Sequence, residues 1–205
     1  SVYGESSQFP LNEKQELLQP KSYYGSTKLC NEVTARVIAN LSKMRIFGLR
    51  FFTVYGPWGR PDMAYFRIAT CLITGEKFQL FGDGSVARDF TFVTDVTESI
   101  YRLLERINEL DRGIFEIFNI GGGKPNSIND LIIEFERQSG KVLTIDRLPQ
   151  NQNDVSGTDA DCSKLMTFTG FRPNVSLSEG ISLTLNWAMR EDVAPHLLSW
   201  VKSVN

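Results

Sequence analysis

Apolar positions along the chain follow two spacings. Over residues 24–41, Leu29, Val33, Val37 and Leu41 recur every fourth position among Lys, Glu, Asn and Arg, which places them on one face of a helix. Residues 45–55 carry β-branched and aromatic side chains together with Leu49, a strand pattern that Gly56-Pro57-Trp58-Gly59 ends. Pro61 suits the first turn of a second helix reaching about residue 74, with Gly75 as its stop. Short strands follow at 77–81 and 89–93, on either side of the turn Gly82-Asp83-Gly84. Residues 96–110 read as a helix and 114–120 as a buried strand, broken by Gly121-Gly122-Gly123. Ser127 caps a helix to about residue 139 and Gly140 ends it; a strand at 141–148 and helices at 163–169 and 178–189 complete the pattern. The polar stretch 5–22, with Pro10 and Pro20, reads as a surface loop. Helices and strands alternate, so the expected fold is α/β with a largely parallel sheet.

Composition narrows the class. The chain has 205 residues, 41% apolar, with 22 Lys+Arg against 24 Asp+Glu, which excludes disordered, collagenous and disulfide-scaffold classes. No window approaches the ~18 apolar residues of a membrane span, and Ser1-Val2-Tyr3-Gly4 has no secretory pattern, so no membrane partner and a cytoplasmic protein are expected. Without an initiator Met, the chain reads as part of a longer polypeptide, of one to one and a half domains. Cys30, Cys71 and Cys162 form no CxxC, and His196 is the only histidine, so no metal site is expected and the thiols read as buried and reduced. Asn40-Leu41-Ser42 and Asn174-Val175-Ser176 match the glycosylation pattern, which carries no weight without a secretory signal. A charge of −2 argues against nucleic acid, and His196 beside Pro195 reads as a surface or packing residue.

Two glycine patterns carry no cofactor reading. Gly82-Asp83-Gly84-Ser85-Val86-Ala87 matches the dinucleotide spacing, but a strand pattern follows where the pyrophosphate needs a helix N-terminus. Gly121-Gly122-Gly123-Lys124-Pro125 lacks the spacing of a phosphate loop. Tyr24 and Lys28 are sharper, because residues four apart share a helix face and a phenol and an ammonium can converge on one ligand. A nearby cation favours phenolate, which makes a phenol usable as an acid or base near neutral pH. That spacing alone is common on solvated helix faces.

Order supplies what spacing does not. Ser1-Val2-Tyr3-Gly4, then Pro20, Tyr24 and Lys28, then 48–57 as GLRFFTVYGP, then Gly82-Asp83-Gly84 with Arg88-Asp89-Phe90 occur in sequence. This series resembles the extended short-chain dehydrogenase/reductase family of nucleotide-sugar epimerases and dehydratases over nearly the whole chain. Residues 50–64, with Trp58-Gly59-Arg60-Pro61-Asp62-Met63-Ala64, look most like the UDP-glucuronate 4-epimerases.

The resemblance implies an incomplete Rossmann-type NAD-binding doubly wound sheet over residues 1–56, with 86–122 partly returning to it. A smaller mixed α/β substrate domain would take 57–85 and 123–205. It implies NAD as cofactor, a UDP-sugar substrate and a homodimer paired through the helix carrying Tyr24 and Lys28 and its neighbour. Tyr24 would take the proton from the sugar 4-hydroxyl as hydride passes from C4 to NAD, giving a 4-keto sugar. Lys28 would hold the nicotinamide ribose, and Phe51 would pack near the nicotinamide. Thr53 and Arg60 would hold the sugar acid, Arg60 by the forked geometry that guanidinium offers a carboxylate. Phe81 would line the base pocket and Arg88 would bind the diphosphate. Asp154 falls at the ribose-binding acid of a Gly-Asp-Val pattern whose Gly is here Asn153, a residue that tolerates left-handed geometry. Ser1 stands where the 4,6-dehydratases and UDP-xylose-forming decarboxylases carry Glu, which disfavours those reactions. The family's catalytic hydroxyl and dinucleotide fingerprint would precede Ser1, so these residues alone are expected to bind NAD poorly and not to turn over. A UDP-glucose-type epimerase and a non-catalytic nucleotide-sugar binder are the alternatives.

Overall fold

The computed structural model describes residues 1–6, 8–150 and 157–204. Helix α1 (Tyr23–Ser42) starts where Ser22 Oγ accepts the Gly25 N–H at 3.0 Å. It is followed by β1 (Ile46–Phe51) and β2 (Thr53–Tyr55), then α2 (Ala64–Thr74) and β3 (Phe78–Phe81). Next come β4 (Ala87–Phe92), α3 (Val93–Glu105), β5 (Phe115–Ile120) and β6 (Pro125–Ser127). The chain continues through α4 (Ile128–Ser139), β7 (Ile145–Leu148), α5 (Ser163–Thr169), α6 (Leu177–Ala188) and α7 (Leu197–Lys202). The α/β expectation holds, and the pairings β1–β5, β2–β4 and β3–β7 are parallel; β4–β6 is antiparallel.

Several boundaries differ from the sequence pattern for identifiable reasons. The expected strand over 45–55 divides at Phe52. Phe52 donates its N–H to Ile120 O at 3.2 Å, the last rung on β5, and from Thr53 the chain pairs with β4 instead. Helix α2 begins after Pro61, because a turn closed by Met63 N–H on Arg60 O at 3.2 Å occupies the intervening residues. The helix expected over 96–110 begins at Val93 and stops at Glu105, with a single 3₁₀ turn at Ile107–Glu109. Residues 141–144 do not extend β7: Leu143 N–H is taken by Glu136 Oε1 at 2.7 Å and Lys141 Nζ by Leu72 O at 2.9 Å. Where local chemistry decides, the pattern is followed closely. Ser127 and Asp130 cap α4 reciprocally, and Gly75 and Gly140 end α2 and α4.

The larger core lies among α2, α4, α6 and α7, with Phe66, Phe135, Leu185 and Leu197 buried. A second core, around Phe118, Ile120 and Leu165, joins β1 and β5 to α3 and α5. Val2, Tyr3 and Leu11 form a third, so the 5–22 loop is anchored by a buried leucine rather than lying wholly on the surface. The thiol expectation fails in part. Cys162 is buried, and its pKa is pushed up to about 12, chiefly by burial, whereas Cys71 is half-buried and Cys30 on α1 is exposed. His196 stacks on Trp200 at 5.8 Å, a packing role as expected. Among the described residues no helix is long and apolar enough to cross a membrane, and no group of His, Cys, Asp and Glu is placed to hold a metal ion.

Candidate active site

A cavity of about 650 Å³ lies between α1, β1 and the start of β2, within the size range of small-ligand sites. Tyr24 and Lys28 reach it from α1, Phe51 and Thr53 from the strands, and Arg88 from β4. Five of the residues expected to act together therefore share one cavity. Lys28 Nζ lies 5.1 Å from the centroid of the Tyr24 ring, so the ammonium faces the phenol's π surface. Tyr24 is 58% exposed and Phe51 47%, leaving a hydroxyl and a flat apolar ring open to a ligand.

One turn beyond Lys28, Glu32 ties this face of α1 to the sheet. Arg50 of β1 forks onto it, with Nε–Oε1 and Nη2–Oε2 both at 2.8 Å, and both side chains are largely buried. Desolvation is the largest single influence on Arg50 and opposes its charge, but Glu32 and Tyr3 together outweigh it and hold the guanidinium above its ordinary pKa. The Arg50 guanidinium lies 4.7 Å from the Tyr3 ring centroid, and Tyr3 Oη donates to Asn119 Oδ1 at 2.6 Å. Burial raises the Tyr3 phenol pKa above its ordinary value, with Arg50 and Asn119 opposing. The sequence reading assigned no role to Glu32, Arg50 or Asn119. The available signal was Glu32 four residues past Lys28 on the same face.

Asp89 plays the corresponding part beside Arg88. It is fully buried; Oδ1 accepts the Gly122 N–H at 2.7 Å, and Oδ2 accepts those of Gly123 at 2.9 Å and Ala160 at 3.0 Å. Its own N–H donates to Thr158 Oγ1 at 3.1 Å, and Thr158 N–H donates to Ala87 O at 3.1 Å. The backbone on both sides of Arg88 is thus fixed, which sets where its side chain leaves β4. The two glycine runs serve this framework: Gly82 and Gly84 turn the chain into β4, and Gly122 and Gly123 donate to Asp89.

Three expected site residues stand apart. Arg60 does not line the cavity; its side chain is 74% exposed and forks onto Asp62, with Nε–Oδ1 at 3.0 Å. The bond to Asp62 raises its pKa. An exposed pair of this kind contributes at most about 1 kcal/mol, so Asp62 does not lock Arg60 away from another carboxylate. Phe81 ends β3 half-exposed and also lies outside the cavity lining. Asp154, with Asn153 and Val155, lies outside the described residues.

Comparison with known proteins joins these parts. Residues 1–121 match the family described as NAD dependent epimerase/dehydratase. The chain is 38% identical to the structure of UDP-glucuronic acid 4-epimerase from Bacillus cereus in complex with UDP-glucuronic acid and NAD, with a TM-score of 0.84 over 91% of this chain and 58% of that one. It is 36% identical over 189 residues to UDP-glucuronate 4-epimerase of Thermodesulfobacterium geofontis, covering 92% of this chain and 56% of that protein. MoeE5 in complex with UDP-glucose and NAD is also similar, at 32% identity and a TM-score of 0.82 over 92% of this chain and 62% of that one. The chain therefore spans a little over half the length of these proteins.

Proposed function

The chain belongs to the NAD dependent epimerase/dehydratase family, and from that premise we propose that the polypeptide carrying it inverts C4 of UDP-glucuronate to give UDP-galacturonate. The observation that carries this reading is the meeting of Tyr24, Lys28, Phe51, Thr53 and Arg88 in one cavity, in a chain similar to a UDP-glucuronic acid 4-epimerase over nine-tenths of its length. Tyr24 removes the proton from O4 and returns it after the 4-keto sugar has turned in the pocket. Thr53 and Arg60 hold the 6-carboxylate, Arg60 leaving Asp62 to do so. Arg88 holds the diphosphate, Phe81 faces the base, and Asp154 binds the ribose hydroxyls.

The residues fit the nicotinamide end of NAD. Lys28 offers an ammonium one helical turn from Tyr24 for ribose hydroxyls, and the half-exposed Phe51 offers an apolar face for a flat ring. Bound NAD supplies a hydride acceptor that is restored at the end of each cycle. Arg88 and Lys28 place positive charge around an anionic ligand in a chain whose formal charge is −2. We assign the residues 1–56 and 86–122 to the cofactor domain and the remainder to the sugar-nucleotide domain.

One observation favours a second reading. Arg60 is already forked to Asp62, as it would remain with a neutral sugar; MoeE5 is described with UDP-glucose as well as with UDP-glucuronic acid. Incubation of the polypeptide with NAD and either UDP-glucuronate or UDP-glucose, followed by chromatographic separation of the epimers, decides between them. UDP-galacturonate from UDP-glucuronate is expected. Conversion of UDP-glucose alone would replace that reading, and no conversion of either would leave a non-catalytic binder.

A further inference from the structure

All three tryptophans of the chain meet beside the loop that carries Arg60. The Trp58 ring lies 5.4 Å from Trp187 of α6 and 6.2 Å from Trp200 of α7, and those two stack at 6.5 Å. Phe66 of α2 packs against Trp187 and Trp200 at 5.7 and 6.4 Å. The only histidine, His196, stacks on Trp200 at 5.8 Å. A loop and three helices thus contribute to one aromatic seat.

The backbone at Trp58 has φ 61°, an outlier for a bulky side chain. Such a conformation persists only where the surroundings over-determine it, and it clusters where a ligand must be positioned. Core filling does not account for it, because Trp58 remains 67% exposed. The neighbouring backbone is held as tightly. Gly56 has φ 136°, and a Cβ on Gly59 would come within 1.5 Å of Tyr65 Oη. The Tyr65 phenol is itself bonded to the Gly56 backbone. The residue that follows these constraints is Arg60.

We propose that Trp58, seated on Trp187 and Trp200, is a specificity-determining positioning residue that presents Arg60 to the carboxylate of a nucleotide-linked uronic acid. The inference rests on the uronate reading given above. It gives α7 a part in substrate choice although no residue of α7 lines the cavity holding Tyr24. A guanidinium recognises a carboxylate through two parallel bonds, so its value depends on the direction from which it is offered.

The test is the affinity of the polypeptide for UDP-glucuronate relative to UDP-glucose, measured by calorimetry, with thermal stability recorded for each variant. Trp58→Ala and Trp200→Ala are expected to reduce this ratio roughly 10- to 100-fold, the scale on which misplacement of a binding group acts. Trp58→Phe keeps an aromatic ring on the seat and should retain most of the preference. Adding Trp58→Ala to Arg60→Ala should cause no further loss, since the tryptophan acts through the arginine. An unchanged ratio in folded Trp58→Ala and Trp200→Ala, or an equal weakening for both sugars, overturns the proposal. If Arg60→Ala itself leaves the ratio intact, the uronate reading has failed, and the failure is then assigned to Arg60 rather than to its seat.

Discussion

Helices α1 and α6 show how differently two elements of one chain are held. Of the 12 residues in α6, six are buried, Trp187 and Leu185 among them. Of the 20 in α1, only Gly25 and Ala39 are buried, and Val33, Val37 and Leu41 stand 60%, 53% and 79% exposed. The stripe read from the sequence is present on α1, but nothing among the described residues covers its outer part. Stability is therefore concentrated around α2, α4 and α6, whereas the proposed chemistry sits on a helix joined to the sheet mainly by the Glu32–Arg50 fork and the residues around Gly25 and Ala39. Substitutions should separate along the same line.

The sharpest test of that separation pairs one change from each region. Phe135→Ala in the larger core should lower stability by about 3–5 kcal/mol, read from the shift in denaturant midpoint. Tyr24→Phe should leave the midpoint unchanged and reduce turnover by about 10²–10⁴-fold, the usual contribution of a general acid–base. Loss of folding in Tyr24→Phe would show that α1 is needed for the fold, and the comparison would collapse.

Asp89 crosses the divide, being buried and structural yet next to the proposed diphosphate ligand Arg88. Asparagine has one accepting atom where Asp89 uses both oxygens, so Asp89→Asn strands one side of the Gly122, Gly123 and Ala160 donors. About 1–3 kcal/mol of stability should be lost. Affinity for UDP should fall with it, while affinity for NAD should not. Equal weakening of both ligands would mean that Asp89 only supports the fold.

The bare stripe on α1 gives a third test. We propose that a second copy of the polypeptide covers Val33, Val37 and Leu41 through the same helix. Val37→Glu should then weaken association by about 1–2 kcal/mol and move the sedimentation profile toward monomer, with little change in the melting of the larger core. An unaltered profile would exclude this face as the contact.

What was legible in the sequence is what local chemistry decides. Ser127, Gly75 and Gly140 mark helix ends because a cap needs only its own few residues. The division at Phe52 was hidden, since it depends on where β5 stops, nearly 70 residues later in the chain. Asp89 gave no signal as a hub because its donors lie 33, 34 and 71 positions away. Tyr24, Lys28, Phe51, Thr53 and Arg88 were found through the order of motifs and do share a cavity. The pairing of Arg60 with Asp62 was not foreseen, although a separation of two residues made it possible. Strand β6 was missed because it is three residues long and begins with proline, and α7 because Pro195 lies just before it.

The smallest effect tests how the better-held region is joined. Glu134 of α4 accepts from Arg137, and Gln138 and Arg137 both reach Ser178 of α6, so a polar patch links the two helices outside the core. The bond to Arg137 holds the Glu134 carboxyl at about 2, below the ordinary 4.5. A depressed folded-state pKa stabilises the protein above the unfolded value and ceases to do so as the pH falls through the folded one. The contribution should therefore be complete above about pH 4.5 and vanish toward pH 2. It should stay below about 1 kcal/mol, because Arg137 is open to solvent and salt screens the pair. Glu134→Gln should accordingly lower the melting temperature slightly at pH 7, with the gap to wild type closing by pH 2 and narrowing in high salt. A gap independent of both would mean that α4 and α6 are joined by their buried side chains alone, with the surface charges contributing nothing.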